Sequence, residues 1–220
     1  MKKLVSSFLF LFILNAVTAQ LTSVDQLKDV NPDDEFYFSV RNLVERYGVL
    51  GKEEARQGGN YLPAKPLTRR TFAITLAEAL DRFQDLFNAA TVDKEMKERD
   101  SIAKMMMKES FKGYADAAAI NITSCTQYKD IKSSDPDYAS IERLTDHYKL
   151  RLADAGNKFV PGKTITEEDL EKIFNTYFDA SGIIFNPSSK TVTRGKWAIY
   201  LDALLDRLQD NLADIMSGAK

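Results

Sequence analysis

The sequence predicts an all-α protein made of repeated helix-loop-helix units with one extra linker helix. Three observations lead there: a segment that recurs, apolar residues at helical spacing, and threonines placed where helices should begin. Thr68 to Asp85 reads TRRTFAITLAEALDRFQD, and Thr193 to Asp210 reads TRGKWAIYLDALLDRLQD. Ten of these eighteen positions are identical, where unrelated segments share about one. The replacements keep their character, with Phe72 facing Trp197 and Phe83 facing Leu208.

Taken in order, the chain opens on Lys2 and Lys3, an apolar stretch from Leu4 to Leu14, and the small residues Ala16-Val17-Thr18-Ala19. This is the layout of a secretory signal peptide over residues 1–19, and it predicts export to the periplasm or cell surface with Gln20 as the mature start. The apolar core is too short for a membrane span.

Residues 20–90 form the first unit. Tyr37, Val40, Val44 and Tyr47 fall at helical intervals, and Phe72, Leu76, Leu80, Phe83 and Phe87 make a second stripe. Gly58-Gly59-Asn60 marks the turn between them. Residues 91–125 have no counterpart in the repeat. Val92, Met96, Ile102, Met105, Met106 and Phe111 predict an amphipathic linker helix, followed by a connector from Ala115 to Gln127. Residues 126–180 form the second unit, with stripes through Tyr138, Ile141, Leu144 and Tyr148 and through Leu170, Ile173, Phe174, Tyr177 and Phe178. Residues 181–220 are a partial third unit carrying Trp197, Leu201, Leu205, Leu208 and Leu212. Thr68, Thr166 and Thr193 are the expected N-caps of the three second helices, and Asp169 imitates a capping box behind Thr166.

Composition narrows the function. The net charge is −2 and the two signs are interspersed, with no basic stripe, so nucleic acid is not an expected partner. A single cysteine, Cys125, excludes an internal disulfide and leaves the fold resting on packing; a small, semi-buried role is expected for it. The only histidine, His147, provides no triad and no histidine-based metal site. Acid pairs such as Asp33-Asp34 and Glu167-Glu168 suit solvated helix starts better than a glycosidase centre. Asp154-Ala155-Gly156-Asn157 lacks the ligand alternation of a calcium loop. No enzyme and no cofactor are therefore expected.

The order of short motifs resembles the S-layer homology domain. An aspartate segment, Lys28-Asp29-Val30, precedes the loop motif Tyr61-Leu62-Pro63 and the helix start Leu67-Thr68-Arg69-Arg70. The second unit repeats it as Lys129-Asp130-Ile131, Phe159-Val160-Pro161 and Ile165-Thr166-Glu167-Glu168. The third offers Phe185-Asn186-Pro187 and Val192-Thr193-Arg194-Gly195. The stretch Leu21 to Val30, together with Leu43 to Gly48 and Leu80-Asp81-Arg82, resembles the S-layer homology segment that precedes certain outer-membrane porins, here with no barrel after it.

That resemblance implies non-covalent attachment to cell-wall glycan, an acidic polymer linked to peptidoglycan. On it, Arg69 and Arg194 would hold the anionic group beside the helix starts at Thr68 and Thr193, while Asp29 and Asp130 would bind hydroxyls or brace the loop. An arginine beside exposed helix-start amides suits a carboxylate, and Glu167 in the second unit would repel one. The competing expectation is a periplasmic or surface scaffold for contacts with envelope proteins.

Overall fold

In the computed structural model, residues 20–111, 122–186, 188 and 190–219 are described. The expected signal peptide and part of the expected connector lie outside them. The protein is all-α: among the described residues the only β pairing is in isolated bridges. Helix α1 (Tyr37–Arg41) runs into a π-helical turn (Asn42–Arg46), followed by the short α2 (Lys52–Arg56) and the long α3 (Arg69–Ala90). The linker helix α4 (Met96–Ser110) comes next, then α5 (Tyr138–Glu142) with its own π turn (Arg143–His147), α6 (Glu167–Tyr177) and α7 (Arg194–Ser217). The linker helix starts later than the apolar pattern suggested: Thr91 is the C-cap of α3, its hydroxyl donating to the carbonyl of Phe87 at 2.8 Å, and a turn separates it from α4. Helix α2 was not foreseen; it lies in the segment expected to be only a turn.

The three threonines cap as expected. Thr68, Thr166 and Thr193 accept from the amides of Thr71, Asp169 and Lys196 at 3.2, 3.1 and 3.3 Å. The residues just before them join the units. Leu67 donates its amide to the carbonyl of Val192 (2.8 Å), Val192 to Ile165 (2.9 Å), and Ile165 back to Leu67 (3.0 Å). This closed cycle of three bonds is a pseudo-threefold hub, and all three side chains are buried.

Each helix start also leans on a loop of another unit. The amides of Arg69 and Arg70 bond the carbonyls of Lys163 and Pro161, at 2.9 Å each. Those of Glu167 and Glu168 bond Lys190 and Ser188 at 3.1 and 3.3 Å, and those of Arg194 and Gly195 bond Lys65 and Pro63 at 2.9 Å each. With the threonine caps, the first three amides of each helix are satisfied, amides that would otherwise lack intrahelical partners.

Beneath the hub the aromatic stripes meet. Phe72 lies 4.9 Å from Trp197 between ring centroids, and Phe174 lies 6.1 Å from it. The indole N–H of Trp197 donates to Thr75 Oγ1 at 2.8 Å, so no polar atom of that ring is stranded in the core. Around this centre α1 packs on α7 and α5 packs on α3, while α4 lies along α7. Cys125 is fully buried rather than semi-buried, and burial pushes its thiol up to about 12.

Candidate functional site

The residue after each capping threonine is held inward by a neighbouring unit. Arg69 donates to Asp154 at 2.6 Å and to the carbonyl of Phe159 at 2.7 Å. Asp154 also receives Lys163 at 3.0 Å; against the upward push of burial, these two cations hold its carboxyl below the usual range. Arg194 pairs with Glu54 at 2.8 Å, with both side chains almost wholly buried at 6 % and 2 % exposure. Its guanidinium also lies 4.9 Å over the ring of Tyr61, whose hydroxyl donates to the Arg194 carbonyl at 2.6 Å. In the second unit Glu167 is buried too, accepting from Tyr200 at 2.7 Å and pairing with Lys196. Glu167 is thus an internal acceptor, not an exposed negative charge.

Asp29 and Asp130 brace the loops. Asp29 accepts the amides of Tyr61 and Leu62, both at 2.7 Å, and Asp130 those of Phe159 and Val160 at 2.8 and 2.7 Å. The braced Leu62 and Val160 stand at φ of 58° and 53°, a region costly for a branched side chain. The turn aims the following Pro63 and Pro161 carbonyls at the helix starts of Arg194–Ser217 and Arg69–Ala90.

The shared Leu-Asp-Arg ending has a physical reason as well. Asp206 accepts Tyr47 at 2.7 Å and Arg46 at 2.8 Å, and Asp81 accepts Tyr148 at 2.6 Å and Arg143 at 2.5 Å. Each aspartate clamps the first helix of a different unit.

One concave region gathers two of the sequence candidates. A groove of about 380 Å³ lies between α2 and α3, with Thr68, Thr71, Lys65, Arg70, Glu53 and Glu78 on its walls. Arg194 and Glu54 also line it, and Pro161-Gly162 reach it from the second unit. Arg70, half exposed, donates to the buried Asp137 at 3.0 Å. Thr68 and Arg194 of the expected set thus share one site, whereas Asp29, Asp130, Arg69 and Thr193 do not line it.

The groove's second wall is α2, made possible by a longer loop in the first unit: Tyr47 to Tyr61 against Tyr148 to Phe159. Sequence reading also missed Lys65, which recurs as Lys163 and Lys190, three residues before each capping threonine. That recurrence was visible once the threonines were aligned. A smaller groove of about 190 Å³, mostly apolar, lies among Phe83, Phe87, Met106, Met107, Phe111 and His147.

Among the described residues no cluster of three or more histidine, cysteine or acidic side chains could hold a metal ion, and no helix is long and apolar enough to cross a membrane. No protein-family model matches the chain. It is similar to an uncharacterized protein of Nostoc sp. (strain PCC 7120), 37% identical over 93 residues, which is 42% of this chain and 16% of that protein. A second uncharacterized protein, from Synechocystis sp. (strain PCC 6803), is 39% identical over 71 residues, 30% of this chain and 13% of its own length. The similarity therefore spans about a sixth or less of these relatives. No solved structure matches.

Proposed function

We propose that this is a non-catalytic protein of the bacterial cell envelope that associates with a peptidoglycan-linked acidic glycan through S-layer-homology-like units. The observation that carries the reading is the α2–α3 groove. Its walls place exposed Lys65 and Arg70 beside the hydroxyls of Thr68 and Thr71 and the acids Glu53 and Glu78. Mixed donors and acceptors suit sugar hydroxyls, and Lys65, beside an Arg70 already paired with Asp137, suits a carboxylate on the chain. Arg194 contributes by holding the groove floor from within rather than by reaching outward.

A second reading is favoured by a specific feature. Arg69 and Arg194 are both engaged by acids of the protein itself, and the helix-start amides are filled by loop carbonyls. A scaffold that binds envelope proteins needs the fold and not free arginines. Co-sedimentation with purified cell-wall sacculi, native or stripped of acidic polymer, separates the two. Glycan attachment predicts binding that is lost on stripping and weakened several-fold by Lys65→Glu. Absence of binding to either preparation leaves the scaffold.

A further inference from the structure

The α1–α7 and α5–α3 interfaces are related by the repeat, and each clamps the tyrosine that follows a π turn on an aspartate: Tyr47 on Asp206 and Tyr148 on Asp81. One helical turn before Asp206, however, α7 carries Asp202, where α3 carries Ala77. A carboxyl has been placed in an interface whose counterpart is apolar. Asp202 is 8 % exposed. Its Oδ2 accepts Asn42 Nδ2 at 3.2 Å, and its Oδ1 is buried with no hydrogen-bond partner among the described residues. An unpaired buried carboxylate oxygen is costly, and the cost falls when the group is neutral.

Among the described residues no cation hydrogen-bonds it. From α1 and its π turn come the neutral Ser39, Asn42 and Tyr47 and the cation Arg46; from its own helix comes Asp206. Arg46 spends its guanidinium on Asp206 and Gln209.

We propose that Asp202 makes the α1–α7 interface a pH-sensitive latch, seated when its carboxyl is neutral and loosened when it ionises. Burial, with the negative Asp206 adding to it, pushes this carboxyl up to about 6, while Asn42, Ser39 and Arg46 pull less strongly the other way. The folded-state value lies above the unfolded one. The stabilisation is therefore complete below about pH 4 and is lost as pH rises through about 6. Because the chain leaving this interface forms the groove wall at Val49 and Leu50, the latch also sets how firmly that wall is held.

The test is thermal and chemical unfolding of the full chain between pH 4 and pH 7.5, with hydrogen exchange read at the amides of residues 40–47. Other carboxylates contribute slopes of their own, so the comparison is between wild type and variants. Asp202→Asn keeps the shape and stays neutral; Asp202→Ala reproduces what the sister interface carries at Ala77. Relative to either variant, the wild-type folding equilibrium constant should fall roughly 10- to 100-fold between pH 4 and pH 7. Once the intrinsic rise of amide exchange with pH is divided out, protection at residues 40–47 should fall over the same range in wild type alone. The proposal is overturned if both variants keep the wild-type slope, or if the Asp202 carboxyl carbon titrates near 4 in the folded protein. Neither readout depends on glycan binding.

Discussion

Removing the Arg194 guanidinium tests whether the recurrent arginine holds the fold or waits for a ligand. In Arg194→Met the aliphatic stem is largely kept, while Glu54 loses its counter-charge at a site where it is 2 % exposed. Breaking a buried ion pair from one side costs about 3–5 kcal/mol, because the remaining charge stays uncompensated. In a chain of this size 1 kcal/mol corresponds to about 2–4 °C in Tm, so the midpoint should fall by about 6–20 °C. Glu54 also accepts the Gly51 amide at 2.8 Å and so caps α2; Glu54→Leu therefore loses both the pair and the cap. The double variant Arg194→Met/Glu54→Leu carries no stranded charge and should be more stable than the sum of its parts implies, with a coupling of about 2 kcal/mol or more. Circular dichroism melts of the four proteins provide the measurement. A loss below about 1 kcal/mol in Arg194→Met, with additive effects in the double variant, would refute the reasoning and return Arg194 to the pool of ligand-binding groups.

Two further substitutions probe how the units meet. A Cβ added at Gly195 would stand 2.6, 2.9 and 3.0 Å from the Cδ1, Cε1 and Cγ of Phe36, so Gly195→Ala should cost up to about 2 kcal/mol, overpacking outweighing the gain in helix propensity. In a Phe36→Ala background the same change should become neutral or stabilise by up to about 1 kcal/mol, as denaturant midpoints will show. Val160 stands at φ 53°, so Val160→Gly should raise stability by about 0.5–1 kcal/mol, relieved strain exceeding the added unfolded-state entropy; a lower melting temperature would mean that its side-chain packing matters more than the strain.

The pair Phe36 and Gly195 illustrates how the copies diverged. At the related interface the same positions are Asp137 and Arg70, joined at 3.0 Å. A ring over a glycine and an ion pair fill the same gap by different chemistry. Such exchanges are invisible to an alignment of either segment alone, because the partners lie on different units.

Read alone, the sequence determined the all-α class, the recurrence of the units and the three threonine caps. These depend on local physics: 3.6-residue periodicity and a hydroxyl within reach of an amide three residues on. Tertiary structure decided what the residues beside those caps do. Asp154 and Glu54, the partners of Arg69 and Arg194, lie 85 and 140 residues away, in inter-helix segments whose lengths differ between copies and one of which carries α2, so no spacing rule could pair them. It also decided that the helix-start amides, expected to be open to an anion, are closed by carbonyls from other units. A helix end is a binding site only while its amides are unpaired, and assembly around the hub satisfies them.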